Sequence, residues 1–268
     1  MGLSLNQIAV FLVIQLSISC AWARVLRLPR PDSQGLFFKE RLPEITTVFK
    51  HESIVLTCKV GGTEPTIHWL KNGIRIQQGS GHDYRDDQTQ FEDNGSAFGK
   101  SFTTSKLFLD CVDDEDEDIY TCVGQTPTSR ISQDTNLVLK RSVDDFLNVP
   151  EDGTGEFSSR KCLERDTEAR IYQFTTLRME TMGEPAQLYC RAEGSPAPQV
   201  SWVDKHGQEI PTENDKYKIL ENGDLLIKRL TWSQMGNYEC RASNRKGEDS
   251  QKIFIYPLKN SRRSRNNL

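Results

Sequence analysis

No Cys-x-x-Cys pair occurs in the chain, and histidine is scarce, with four in 268 residues. Structural zinc sites and thioredoxin-type redox centres, which need closely spaced ligands, are therefore unsupported. A surplus of positive charge is also missing. The formal net charge is −4, so no global basic field draws the chain to nucleic acid. The sequence has no nucleophile elbow, zincin pair or phosphate-binding glycine loop, and its scattered histidines supply few general bases. Neither an enzyme nor a bound cofactor is expected. Beyond the N-terminus no apolar run is long enough to span a bilayer, and the polar ending KNSRRSRNNL argues against a glycolipid-anchor tail. Gly2 opens no myristoylation signal, because Asn6 stands where Ser or Thr is required.

What is present begins with a secretory signal. Ile8 to Ile18 is apolar except for Gln15 and Ser17, and Ala21-Trp22-Ala23 offers small residues at the −3 and −1 positions of a cleavage site. The run is too short to cross a bilayer. Residues 1–23 are expected to be removed, leaving a secreted, extracellular chain without membrane insertion. Of the seven cysteines, Cys20 leaves with this segment. The others, Cys58, Cys111, Cys122, Cys162, Cys190 and Cys240, suit an oxidising compartment.

Two stretches share one pattern. Asn222 to Cys240 reads NGDLLIKRLTWSQMGNYEC: an alternating apolar strand through Leu225 and Ile227, a turn at Gly236, and Tyr238 just before Cys240. Cys190 and Trp202 stand upstream. Cys58, Trp69, Tyr120 and Cys122 form the same set earlier in the chain. A cysteine pair joining two sheets, a Trp packed on it and a Tyr before the second Cys make the framework of an immunoglobulin-like sandwich. The expected fold is all-β, with two tandem immunoglobulin-like (I-set/C2-type) β-sandwiches after a cleaved signal peptide. With 36% hydrophobic and 27% charged residues, the chain suits two small cores better than one large one.

In chain order, residues 24–42 read as an irregular arm whose one apolar point, Phe37-Phe38, is expected to pack on the first domain. The first sandwich is expected over 43–140. Ile54, Leu56 and Cys58 alternate as a half-buried strand, Gly61-Gly62 reads as a turn, and Ile67 and Trp69 face inward. Leu107 and Leu109 precede an acidic run, Asp113 to Asp118. From Gly79 to Lys100 lies a polar excursion longer than a compact sandwich needs. Residues 141–168 form an acidic, turn-rich linker, 169–257 the second sandwich and 258–268 a basic disordered tail.

The signature pairs Cys58 with Cys122 and Cys190 with Cys240. Six cysteines allow 15 connectivities, and with those two pairs set Cys111 and Cys162 remain. Cys111 lies at the sandwich end from which the chain leaves for the next domain. Cys162 is therefore within reach and would tie the linker down. The alternative is that both thiols pair between chains, in a disulfide-linked dimer.

NGDLLI, Trp232, MGNYEC, Ala242, Asn244, Gly247 and the closing Phe254-Ile255-Tyr256-Pro257 carry a family resemblance. They are similar to the second domain of the secreted two-immunoglobulin-domain proteins that include the insect neural/ectodermal development factor, crustacean binding proteins for the insulin-like androgenic gland hormone and small nematode neuronal proteins. In the first domain Ile67-x-Trp69 and Tyr120-Thr121-Cys122-Val123-Gly124 carry the resemblance. Gln234 departs from the pattern, which has Asp there, and Asp118 stands where the first domain would have Gly. The resemblance implies extracellular binding of an insulin-like or insulin-like growth factor peptide, sequestered from its receptor. The alternative is a secreted cell-surface or neuronal interaction protein whose partner is a protein receptor.

Candidate contact residues lie in the linker. Phe146, Leu147, Val149 and Phe157 are apolar points in an acidic segment that needs none if it is only a tether. They either pack on the sandwiches or meet the peptide, where aromatic residues make the usual hot spots. Asn94-Gly95-Ser96 is a glycosylation acceptor, expected to be used at Asn94. The run Asp113 to Asp118 matches no calcium-loop spacing, so a solvated turn is expected there rather than a metal site. His51, His68 and His206 read as surface residues. The tail Arg262-Arg263-Ser264-Arg265 offers a protease cleavage site or weak binding of acidic glycans.

Overall fold

A computed structural model of the protein describes residues 35–79, 99–140 and 166–259. The first sandwich comprises β1 (Phe37–Phe38), β2 (Ile45–Phe49), β3 (Ile54–Gly62), β4 (Thr66–Lys71), β5 (Ile74–Arg75), β6 (Lys100–Leu109), β7 (Asp118–Gln125) and β8 (Arg130–Lys140). One sheet runs β1-β3-β6 and the facing sheet β2-β8-β7-β4-β5. Period-two alternation fills the space between them: Leu56, Cys58 and Val60 from β3 meet Ile67 and Trp69 from β4 and Tyr120 and Cys122 from β7. The Cys58–Cys122 disulfide joins the sheets across 6.4 Å between Cα atoms. The Trp69 indole N–H donates to Ser105 Oγ at 3.0 Å, so a buried serine satisfies a buried donor. Tyr120 Oη donates to the Asp116 carbonyl at 3.1 Å and closes the corner ahead of β7.

The second sandwich repeats the plan with β9 (Arg170–Thr181), β10 (Ala186–Leu188), β11 (Cys190–Glu193), β12 (Gln199–Val203), β13 (Tyr217–Ile219), β14 (Leu225–Ile227), β15 (Gly236–Asn244) and β16 (Gly247–Leu258). Cys190–Cys240 joins its sheets. The Trp202 indole donates to the Gly223 carbonyl at 2.8 Å, and Tyr238 Oη to the Gln234 carbonyl at 3.2 Å. The NGD turn has a structural reason. Gly223 has φ +93°, and a Cβ on it would stand 2.5 Å from the Cys190 carbonyl oxygen. The fully buried Asp224 accepts from the Cys190 N–H at 2.9 Å and from Arg191 Nη2 at 3.1 Å. Gln234, where the family pattern has Asp, does the job of a cap. Its Oε1 accepts from the Thr231 N–H at 2.7 Å and ties down the short 3-10 turn Trp232–Gln234.

The two sandwiches are joined edge to edge. β6 of the first pairs antiparallel with β9 of the second, so one sheet path runs β1-β3-β6-β9-β16-β15-β12 through both. Each edge strand thus covers the other's open hydrogen-bonding edge. β9 changes its other neighbour along its length, pairing with β11 near its start and in parallel with β16 near its end. Between these halves Thr176 is skipped in the register with β6, and its hydroxyl donates to the Phe102 carbonyl at 3.1 Å.

Charges hold both ends of the junction. Arg170 makes a two-pronged pair with Asp110, at 2.9 and 2.8 Å, and its guanidinium lies 4.4 Å from the Phe108 ring centre. At the other end the buried Arg178 bonds Glu64 of the first sandwich and Glu180 of its own strand.

Two readings of the sequence change here. Gly61-Gly62 is not a turn: the strand runs straight through both, opposite Phe102 and Ser101. A Cβ on Gly61 would lie 2.5 Å from Phe37 Cζ and 2.9 Å from Phe102 Cε1, so glycine makes room for two rings rather than for a bend. Phe37-Phe38 pack on the first domain as expected, but not as an irregular arm: they form β1 and pair with Gly61 and Val60.

Candidate functional site

The alternation that fills the cores also fixes what the shared sheet shows to solvent. In β6, Ser101, Thr103 and Ser105 are buried, which turns Lys100, Phe102 and Lys106 outward. In the second half of β9, Arg178 and Glu180 are buried, leaving Leu177 and Met179 outward. In β16, Ile253 and Ile255 belong to the core, which leaves Phe254 and Tyr256 on the open face.

Register lines these side chains up. Phe37 lies opposite Gly61, Gly61 opposite Phe102, Phe102 opposite Leu177 and Leu177 opposite Phe254. The neighbouring row is Lys100, Met179 and Tyr256. Ring contacts reinforce both rows: Phe37 meets Phe102 edge-on at 6.0 Å, and Tyr256 meets Trp232 at 5.8 Å. Phe37 is 48% exposed, Trp232 49% and Tyr256 39%, so this is an apolar surface open to solvent and not a satellite core. Beside Trp232 lies a cavity of about 330 Å³ lined by Met182, Gly183, Arg229, Leu230 and Thr231.

Cations border the apolar rows. Lys39 Nζ stands 5.6 Å from the Phe102 ring centre, and Lys100 is exposed at the head of the second row. Among the described residues neither is in an ion pair. Arg229 and Lys252 are exposed at the second-sandwich end. The carboxylates nearby are already engaged, Glu40 with Lys59 and Glu239 with Arg241. The Arg241 hydrogen bond holds the Glu239 carboxyl below its ordinary pKa.

A second cavity, of about 380 Å³, lies in the second sandwich near Tyr172, Arg191, Glu193, Val200 and Leu220. Burial pushes the Glu193 carboxyl above its ordinary pKa, against the pull of Arg170. The acidic run is a hydrogen-bonded turn: Asp113 accepts from the Glu115 N–H at 2.9 Å, and Asp116 accepts from the Asp113 N–H at 3.1 Å. Among the described residues no group of His, Cys, Asp or Glu side chains is disposed to hold a metal ion.

The residues singled out from the sequence fall into two sets. Cys58, Cys122, Cys190, Cys240, Trp69, Tyr120, Trp202 and Tyr238 lie in the two cores. Cys111 is disulfide-bonded. Cys162, the linker residues Phe146, Leu147, Val149 and Phe157, the glycosylation acceptor Asn94, the signal segment and the basic tail lie outside the described residues. The sheet face was not foreseen as a site. Its signal was in the sequence of β16, where Ile253, Phe254, Ile255 and Tyr256 are apolar at both parities. A strand buried on one side only does not need this.

Comparison with known proteins places the chain. Models of the immunoglobulin I-set domain and the immunoglobulin domain match residues 173–255 and 41–125. Zwei Ig domain protein zig-4 of Caenorhabditis elegans is 31% identical over 212 residues, covering 77% of this chain and 74% of that protein. The chain belongs to this two-immunoglobulin-domain family. A second relative, neural/ectodermal development factor IMP-L2 of Drosophila melanogaster, is 29% identical over 209 residues, covering 78% of this chain and 71% of that protein. The crystal structure of the same development factor superposes with a TM-score of 0.64 at 26% identity, over 84% of this chain and 96% of that one. The likeness in structure therefore extends over both domains of the family fold.

Proposed function

We propose that the chain is a secreted binding protein that sequesters an insulin-like peptide and so limits signalling through the insulin receptor. The observation that carries this reading is the two-domain likeness to the development factor. The open apolar face supports it, since a binding protein works by presenting surface. The disulfides at Cys58–Cys122 and Cys190–Cys240 suit an extracellular protein, and no helix among the described residues is long and apolar enough to cross a membrane.

The test is to express the chain in a secretory host and titrate it with a panel of labelled insulin-like peptides. Saturable binding below micromolar peptide is expected. Failure of every peptide to bind would end this reading. Sequencing of the secreted product should start at Arg24. The identity to zig-4 favours a second reading, an extracellular interaction protein whose partner is a protein receptor, and the same titration separates the two.

A further inference from the structure

We propose that the outward face of the shared sheet, centred on the row Phe37, Phe102, Leu177 and Phe254, is where the partner docks, and that the partner is a small folded peptide whose apolar face is bordered by carboxylates. This rests on the peptide-binding reading above and adds to it the place and chemistry of contact.

Neither sandwich alone carries this row. Phe37 and Phe102 belong to the first, and Leu177 and Phe254 to the second. They become neighbours because β6 pairs with β9. The face therefore depends on the edge-to-edge joint, whose β6–β9 pairing sets the register of the row before any partner arrives and so lowers the ordering cost of binding. Apolar side chains on a solvent face cost solubility and gain nothing for the core behind them, while aromatic residues of this kind anchor interfaces. The cavity beside Trp232 and Leu230 is large enough to receive one bulky side chain at the edge of the patch.

Charge selects the occupant. Lys39 and Lys100 flank the first-sandwich end of the rows and Arg229 lines the cavity beside Trp232 at the other, on a chain whose net charge is −4, while Lys252 already faces Glu239 across the β15–β16 pair. This local cationic border favours a partner whose apolar patch is edged with Asp or Glu. A second copy of this chain fits badly, because a two-fold contact through the face would bring cations against cations whichever ends met.

The experiment uses the full secreted chain and a labelled insulin-like peptide that binds the wild type. Four variants are compared: Phe37→Asp, Tyr256→Asp, the double Lys39→Glu/Lys100→Glu, and Ile74→Asp. Ile74 is 75% exposed on the facing sheet of the first sandwich and serves as the control. All five substituted residues are exposed, and melting curves confirm folding. Each aspartate on the face is expected to weaken binding by about thirtyfold. The lysine reversal should slow association by about tenfold at low salt and flatten its salt dependence. Ile74→Asp should bind like the wild type.

Unchanged affinity in the three face variants, with wild-type binding intact, overturns the location and leaves the peptide-binding reading standing. Loss of binding in Ile74→Asp alone overturns it too. If the wild type binds no peptide, both proposals fall. A dimer in sedimentation that the face variants dissolve would place a second copy on the face and overturn the partner proposed here.

Discussion

Arg170 donates from Nη1 and Nη2 to the two carboxylate oxygens of Asp110, at 2.9 and 2.8 Å, so the first residue of β9 is clamped to the residue that follows β6. Burial lowers the Arg170 pKa, but the hydrogen-bonded Asp110 and the nearby Glu193 more than offset it, and the guanidinium stays charged. The pair is the electrostatic lock at one end of a joint whose middle is backbone hydrogen bonding.

Replacing the two partners should have unequal effects. Asp110 is 45% exposed, so Asp110→Asn is expected to cost about 0.5–1 kcal/mol. Arg170→Ala also loses the stacking on Phe108 and leaves Glu193 without its cation, for a total of about 2 kcal/mol. Urea denaturation of the two variants reads this difference. Equal losses would mean that Arg170 contributes only through Asp110.

Gly99 stands at the other end of the joint, just before β6. A Cβ there would lie 2.2 Å from Glu180 Oε2 and 2.7 Å from the Met179 carbonyl oxygen. The carbonyl belongs to the paired strand and cannot move without breaking register. Gly99→Ala is therefore expected to cost about 1–3 kcal/mol by overpacking, seen as a lowered melting temperature. A melting temperature unchanged from wild type would show that the two strands can part at no cost.

These two contacts mark what could and could not be read in the sequence. Both frameworks were legible, because Cys58, Trp69, Tyr120 and Cys122, and then Cys190, Trp202, Tyr238 and Cys240, sit at spacings that one fold uses. The joint was not. Thr103, Thr104 and Ser105 in β6 read as an ordinary polar strand, yet all three are buried: Ser105 and Thr103 face inward, where they bond the Trp69 indole and the Pro65 carbonyl, and Thr104 lies opposite Phe174 of β9. Gly61 read as a turn because a glycine that makes room for rings looks the same in sequence as one that bends the chain. The apolar face was half visible, in the double apolar parity of β16. Its other half comes from strands far apart in sequence, and only register brings them together.

The Cys190–Cys240 disulfide closes a loop with a sequence separation of 50. Replacing both cysteines by Ala should lower stability by about 4 kcal/mol in the chain-entropy model. The Cys58–Cys122 loop, with a separation of 64, should matter about as much for the first sandwich. Because β6 and β9 join the two domains, loss of either disulfide is expected to lower the melting temperature of the whole molecule as one transition. Two separate transitions in calorimetry would show that the joint does not couple the domains.

The cluster at the far end of the joint sets a pH dependence with a definite sign. Glu180 faces Arg178, Glu64 and the Thr181 N–H, which donates to its Oε1 at 2.7 Å. Burial raises its pKa above the ordinary 4.5, and Glu64 adds to this; Arg178 and the Thr181 N–H pull it down without cancelling the rise. A carboxyl whose folded pKa is raised adds stability fully below its unfolded pKa and loses it as pH rises through the folded value. The wild type should therefore gain stability relative to Glu180→Gln as pH falls from about 7 to about 4, because the glutamine is neutral throughout. Removing the cation instead leaves two carboxylates facing each other in a buried site, so Arg178→Leu is expected to cost about 3–5 kcal/mol near neutrality, and less in acid. Denaturation of the three proteins across this range checks both statements. If the wild type lost stability on acidification faster than Glu180→Gln, Arg178 would be the stronger influence, and the carboxyl would be held below 4.5 rather than above it.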